Sequence, residues 1–227
     1  MKKIILAIDT ADIKEAINIT KKIKDKIFTV KLGLEFFNAN GKEGIRKFNE
    51  IGITNLMLDL KLKDIPETVY KAIKTLDDIE FSFITVHGQG GKLMIDKAKQ
   101  AAREIKSQPN IMMVTILTSL NVQDAKLMGN NTISYQVEKL AELAKDANVG
   151  VICSGQEAKS VRKIIGPNLL IFTPGIRMAN ENANDQQRIS TPNESLVNGA
   201  DKIIMGRSLI NGDIVKNLDK VSKSIKI

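Results

Sequence analysis

Short apolar runs recur along the chain, and most are followed by a segment whose apolar positions fall on one helical stripe. The runs are Ile4–Ile8, Ile27–Leu32, Leu56–Leu62, Phe81–Val86, Ile111–Leu117, Val149–Cys153, Leu169–Phe172 and Lys202–Met205. Each suits a β-strand in length and is too short for a buried helix. Between the first two, residues 12–25 place Ile13, Ala16, Ile17, Ile19, Thr20 and Ile23 on one side, behind Asp12 as a cap. Residues 64–76 align Val69, Ala72, Ile73 and Leu76, and further helices are predicted near 41–51, 91–107, 133–147, 155–166, 192–198 and 213–225. Eight strands alternating with about eight helices in 227 residues predict an α/β fold, a (β/α)8 TIM barrel. A doubly wound open sheet is the competing architecture. It normally carries a glycine-rich turn after the first strand, and Asp9-Thr10-Ala11-Asp12 contains no glycine. No linker or shift in composition divides the chain, which reads as one domain over residues 1–227.

The third run breaks the apolar pattern. Leu56, Leu58, Leu60 and Leu62 alternate with Met57, Asp59, Lys61 and Lys63, so a strand there would show one leucine face and place Asp59 and Lys61 together on the other. Ile65-Pro66 ends it, because proline has no N–H for a sheet ladder. A carboxylate and an ammonium at the end of a strand, followed by Asp64, are costly unless paired or used. An amphipathic edge strand with a solvated face is the plain alternative.

In a barrel of this kind catalytic groups lie at the C-terminal ends of the strands. In chain order those ends carry Asp9, Lys31, Asp59 with Lys61, His87, Thr118 with Ser119, Ser154, Thr173-Pro174-Gly175-Ile176-Arg177, and Gly206-Arg207. Lys31, Asp59 and Lys61 on neighbouring strands would form an array of alternating charge, to which Asp64 would add. Mutual pairing would keep the lysines protonated and the carboxylates ionised. A salt-bridged ring that caps the barrel without chemistry is the structural alternative. Gly206-Arg207, after the eighth strand, suits an anion, since glycine lets backbone N–H groups approach and arginine adds a bidentate contact. Between Arg177 and Ile189 runs a long polar stretch with Asn180, Asn182, Asn184, Asp185 and Gln186, either a surface loop or a lid. His87, the only histidine, is a candidate acid or base and equally a structural hydrogen-bonding residue before Gly88 and Gly90-Gly91.

Composition narrows the choices. Hydrophobic residues at 43% and charged residues at 26% are those of a globular protein. Aromatic residues at 4%, with no Trp, argue against a stacking surface for single-stranded nucleic acid. The formal charge of +8 invites a polynucleotide partner, but lysines such as Lys14, Lys21, Lys22, Lys24 and Lys26 are scattered over amphipathic helices. The remaining expectation is a field that favours small anions. One cysteine, Cys153 in an apolar run, and one histidine exclude disulfides and Cys/His metal sites. Lys2-Lys3 precede an apolar stretch too short for a signal peptide, and nothing approaches a membrane span, so a cytoplasmic protein is expected.

The segment Asp59-Leu60-Lys61-Leu62-Lys63-Asp64-Ile65-Pro66 resembles the Asp-x-Lys-x-x-Asp-Ile-Pro signature of the orotidine 5′-phosphate decarboxylase family. The resemblance extends over nearly the whole chain, through Ala7-Ile8-Asp9, Lys31-Leu32-Gly33, His87 with Gly90-Gly91, Leu117-Thr118-Ser119, Thr173-Pro174-Gly175-Ile176-Arg177, Asp185-Gln186 and Met205-Gly206-Arg207. The chain departs from the bacterial pattern at Leu62-Lys63, usually Phe-His, and at Glu67, usually Asn. The resemblance implies decarboxylation of orotidine 5′-phosphate to uridine 5′-phosphate without metal or organic cofactor, the last step of UMP synthesis. It implies that Lys61 stabilises the carbanion and protonates C6, that Asp59 sits near the departing carboxylate, and that Lys31 and Asp64 hold the array. It assigns ribose contacts to Asp9, Lys31 and Asp64, and the base edge to Thr118 or Ser119. The phosphate would fall to Gln186, Gly206 and Arg207 with Arg177 nearby. Finally, it implies a homodimer in which Asp64 and Thr68 reach the partner's site.

Two other functions fit parts of the pattern. A metal-dependent decarboxylase or aldolase of an acyclic sugar phosphate uses the same Asp-x-Lys-x-x-Asp element around a Mg²⁺-stabilised enediolate. A basic barrel that binds RNA would need a continuous Lys/Arg stripe, which the scattered lysines do not form.

Overall fold

The structure, a computed structural model, describes residues 2–127, 132–178 and 187–226. Most of the polar stretch after Arg177, including Asn180, Asn182, Asn184, Asp185 and Gln186, lies outside the described residues. Eight strands run β1 Ile4–Ile8, β2 Thr29–Gly33, β3 Leu56–Leu62, β4 Phe83–His87, β5 Asn110–Val114, β6 Gly150–Ile152, β7 Ile171–Thr173 and β8 Lys202–Met205. Among the described residues ten α-helices lie between and after them: α1 Ile13–Ile23, α2 Leu34–Glu50, α3 Pro66–Lys74, α4 Gly91–Arg103, α5 Val122–Leu127, α6 Ile133–Ala147, α7 Ala158–Ile165, α8 Pro192–Val197, α9 Arg207–Ile210 and α10 Ile214–Ser224. The strands hydrogen-bond in chain order as a closed barrel, and β1–β2, β2–β3, β3–β4, β6–β7 and β7–β8 pair in parallel. This is the (β/α)8 architecture and not the doubly wound sheet.

The chain groups into two compact units, Met1–Met112 and Met113–Ile227. In the first, β1 pairs with β2 (Ala7 opposite Lys31), β2 with β3 (Lys31 opposite Met57, Gly33 opposite Asp59) and β3 with β4 (Met57 opposite Phe83). All five residues of β1 and all five of β2 are buried, as strands covered on both faces must be. Asp12 caps α1 as expected, its Oδ1 accepting from the N–H groups of Lys14 and Glu15 at 2.7 and 3.1 Å. The helix predicted over 41–51 is the second limb of α2. Gly41, at φ 57° and ψ −152°, kinks the element, and the limb from Leu34 precedes it. Phe36 and Phe48 meet edge to face across the two limbs, with ring centroids 5.7 Å apart.

In the second unit, β6 pairs with β7 (Val151 opposite Ile171) and β7 with β8 (Thr173 opposite Ile203). Helices α5 and α9 were not anticipated. Each spans six residues or fewer, too few for a helical stripe to register. Helix α8 begins with a capping box: Thr191 Oγ1 accepts from the Glu194 N–H, and Glu194 accepts from the Thr191 N–H. Arg162 of α7 ties the unit's loops together. Its guanidinium donates to the carbonyls of Gly166, Leu169 and Gly199 and to Asp201 Oδ2 at 2.6 Å, and Asp201 also accepts the Ile171 N–H at 2.7 Å. Replacing this side chain strands three carbonyls and a carboxylate. Arg162→Met is expected to lower the unfolding free energy by about 2–3 kcal/mol, read from urea melts.

Candidate active site

Among the described residues of the first unit, the buried charges gather at the C-terminal ends of β2 and β3, beside the end of β1. Asp59 is 7% exposed and Lys31 is 8% exposed, so both ions have left water and need partners. They find each other. Lys31 Nζ lies 3.0 Å from Asp59 Oδ2 and 3.7 Å from Asp9 Oδ1, and Lys61 Nζ lies 2.9 Å from the same Asp59 Oδ2. One carboxylate oxygen thus holds two ammonium groups. The other, Oδ1, accepts a hydrogen bond from Thr85 Oγ1 at 3.0 Å.

The electrostatics follow from this geometry. Burial works against the charged form of Asp59, but the Lys31 and Lys61 ammoniums outweigh it and hold its carboxyl at about 2. Burial likewise opposes the charge on Lys31. Asp59 first, then Asp9, raises it above the usual lysine range all the same. The three members differ in access: the side chains of Asp59 and Lys31 are 9% and 11% exposed, whereas that of Lys61 is 34% exposed. Lys61 is therefore the ammonium open to an incoming molecule.

Strand β3 reaches this arrangement by a route that the alternation of leucines does not describe. Met57, expected on the polar face, is fully buried, because this part of the strand is covered on both sides. Beyond Leu58 the register with β4 shifts: Leu58 lies opposite Ile84 and Leu62 opposite Val86. Lys61 sits in this irregularity with φ 47°, and Leu60 and Leu62 are only half-buried. The solvated edge face gives way to an interrupted strand whose charges are paired.

The remaining expected residues fall as follows. Asp9, directly after β1, is exposed and contacts Lys31. Asp64 and Thr68 are also exposed, and Asp64 Oδ1 accepts the N–H of Ile65 at 2.7 Å. No ion pair to Asp64 is found among the described residues of this chain, so the array here comprises Asp9, Lys31, Asp59 and Lys61. Glu67 lies 3.8 Å from Lys97 Nζ, and Lys63 Nζ lies 3.4 Å from Gln89 Oε1. His87 is half-buried at the end of β4, and its Nδ1 has no hydrogen-bond partner among the described residues. Burial, then Lys63 and Lys61, push its pKa down and favour the neutral ring.

In the second unit Thr118 is buried and Ser119 exposed, and the Thr118 carbonyl accepts the Gln187 N–H at 3.1 Å. Arg177 is 8% exposed, and its backbone pairs with Ser190. Gly206 precedes the single turn of α9, whose first residue, Arg207, is exposed. Gln186 lies outside the described residues. The second unit also holds a buried ion pair that the sequence did not reveal. Arg188 donates to Glu157 and to the carbonyls of Ile116 and Leu117, just ahead of Thr118. Thr85 was missed as well: a threonine inside a β-run reads only as a strand former.

A parallel barrel with a desolvated carboxylate shared by two ammoniums at its C-terminal strand ends places the chain among the (β/α)8-barrel enzymes, whose chemistry is sited there. The model of the "Orotidine 5'-phosphate decarboxylase / HUMPS family" matches residues 2–218. An orotidine 5′-phosphate decarboxylase of Sphingopyxis alaskensis is 41% identical over 208 residues, 91% of each chain. One from Buchnera aphidicola subsp. Acyrthosiphon pisum is 36% identical over 229 residues, covering 100% of this chain and 97% of its own. Among solved structures, the orotidine 5′-phosphate decarboxylase from Lactobacillus acidophilus superposes with a TM-score of 0.84 at 31% identity over the full length of both chains. The chain belongs to the orotidine 5′-phosphate decarboxylase / HUMPS family and is a carboxy-lyase.

The depressed pKa of Asp59 gives the fold a signature in acid. Above about pH 5 the carboxylate is ionised in folded and unfolded chains alike, and its stabilising effect is complete. As pH falls from there toward about 2, the unfolded chain takes up the proton first, and about 2 kcal/mol of stability is lost. Urea melts at stepped pH are expected to show this component in the wild type and to lack it in Asp59→Asn.

Proposed function

We propose that this chain decarboxylates orotidine 5′-phosphate to uridine 5′-phosphate and CO2, the last step of UMP synthesis, without metal or organic cofactor. The observation that carries the reading is Asp59 Oδ2, shared by Lys31 at 3.0 Å and Lys61 at 2.9 Å. Loss of CO2 leaves an electron pair on C6 of the pyrimidine, in the plane of the ring and away from its π-system. An enzyme without an electron sink must meet that pair with charge already in place. Lys61, the most accessible ammonium of the array, supplies the charge and then its proton, so that the C6–carboxylate bond is replaced by C6–H. Asp59, ionised, faces the substrate carboxylate, and their repulsion is relieved as neutral CO2 departs, which favours the transition state over the ground state. Lys31 keeps Asp59 ionised and in place, and with Asp9 meets the ribose hydroxyls.

On this reading Thr118 reads the base edge, and Gly206, Arg207, Arg177 and Gln186 hold the phosphate. Phosphate binding, remote from the bond that breaks, supplies energy to order the site. We also read the chain as one catalytic domain, since the boundary between its two units, at Met112, falls inside β5 and not in a linker. A homodimer is supported by the surface beside Asp64 and Thr68: Ile65 is 67% exposed and Leu93, on α4, is 66% exposed. Covering such side chains contributes about 1.5–3 kcal/mol each. A second copy of the chain docking there would bring Asp64 and Thr68 to its partner's site. A nucleotide substrate and a single buried thiol, Cys153, suit a cytoplasmic setting. Among the described residues no helix is long and apolar enough to cross a membrane. Helical lysines paired with nearby acids, such as Lys92 with Asp96 and Lys139 with Glu142, give little support to a polynucleotide partner.

The reading is tested by the ultraviolet absorbance change on adding orotidine 5′-phosphate to purified protein in excess chelator. Turnover is expected to persist there; turnover that needs a restored divalent cation would favour the metal-dependent alternative. Lys61→Ala is expected to abolish turnover, and near-normal kcat in that variant would contradict the role given to Lys61. Arg207→Ala is expected to lower kcat/KM by several kcal/mol at most, on the order of one charge-assisted contact. Ile65→Asp is expected to yield a folded monomer in sedimentation velocity, with activity lost because Asp64 and Thr68 no longer reach a partner.

A further inference from the structure

The register shift in β3 leaves Asp59, Leu60 and Lys61 opposite Thr85 alone, between the Leu58–Ile84 and Leu62–Val86 pairs. Such an irregularity takes backbone groups out of the ladder, and a buried N–H without an acceptor is unfavourable. At Lys61 the need is sharper, because φ 47° is a left-handed conformation that a lysine does not choose by itself. Thr85 Oγ1 answers it. The hydroxyl accepts the Lys61 N–H at 2.8 Å and donates its proton to Asp59 Oδ1 at 3.0 Å. Thr85 is fully buried, so water does not stand in for either bond.

One hydroxyl therefore holds the backbone of one reacting residue and the carboxylate of the other. With Oδ1 fixed by Thr85, Oδ2 turns toward Lys31 and Lys61. With its N–H fixed, Lys61 keeps the backbone twist that sends its side chain to that same oxygen. We propose that Thr85 is a positioning residue for decarboxylation, its hydroxyl locking the irregular end of β3 so that Asp59 and the Lys61 ammonium converge on one point. This rests on the decarboxylase reading above and extends it to a residue that does not touch substrate.

Thr85→Val keeps the shape of the side chain and removes both hydrogen bonds, whereas Thr85→Ser keeps the hydroxyl. T85V is expected to lower kcat by about 100-fold, the scale of a small misplacement of reacting groups, with a much smaller change in KM. T85S is expected to retain most of the activity. The acid limb of the kcat–pH profile is expected to move upward in T85V, because Asp59 loses a donor to its charged form. In an Asp59→Asn background, T85V is expected to add little further loss, since the two residues act as one unit. Wild-type kcat in T85V, equal damage in T85V and T85S, or an undiminished T85V effect on top of Asp59→Asn would each overturn the assignment while leaving the decarboxylase reading intact. A wild-type chain that does not turn over orotidine 5′-phosphate would overturn both. Should T85V fail to fold, Thr85→Ala takes its place with the same outcomes.

Discussion

Two ammonium groups sharing one buried carboxylate oxygen is the constraint on which the candidate site depends. Asp59 stays ionised out of water only because Lys31 and Lys61 lie within 3.0 Å of it, and Lys31 stays buried and charged only because Asp59 and Asp9 flank it. Removing any one member leaves a charge uncompensated in a poorly solvated place, a more damaging event than losing a surface ion pair. The neighbouring register supports the arrangement: Lys31 lies opposite Met57, and Gly33 lies opposite Asp59.

The same constraint explains how a site without an electron sink would act on a pyrimidine anion. A flexible ammonium in water would have to shed solvent and reorient as charge develops, whereas Lys61 is already oriented by Asp59. Burial is graded across the group, with Asp59 and Lys31 enclosed and Lys61 partly open. On the proposed function, the enclosed pair would supply a fixed field and the open member the proton. Hydrogen bonding from Thr85 gives the carboxylate its second fixed direction.

Much of this was legible in the sequence, for physical reasons. The eight strands stood out because buried parallel strands are continuous apolar runs, and Asp59 and Lys61 stood out because they interrupt one. That Lys31 and Asp59 would meet followed from adjacent strand ends. What escaped was local or distant. A positive φ at Lys61 leaves no trace in residue type, since neither glycine nor asparagine marks it. The kink at Gly41 hid the first limb of α2, and Thr85 looked like any strand threonine. Arg188 and Glu157 are 31 residues apart in sequence, and only the fold joins them.

The central claim, that the Lys61 ammonium is aimed at C6, has a direct test in the reverse direction of proton transfer. By microscopic reversibility, a residue that delivers a proton to C6 also removes it from bound product. Incubating uridine 5′-phosphate with the protein in D2O and following the C6 proton by NMR should reveal exchange that is catalysed by the wild type and absent from Lys61→Ala. Exchange that continues undiminished without the lysine would contradict the account.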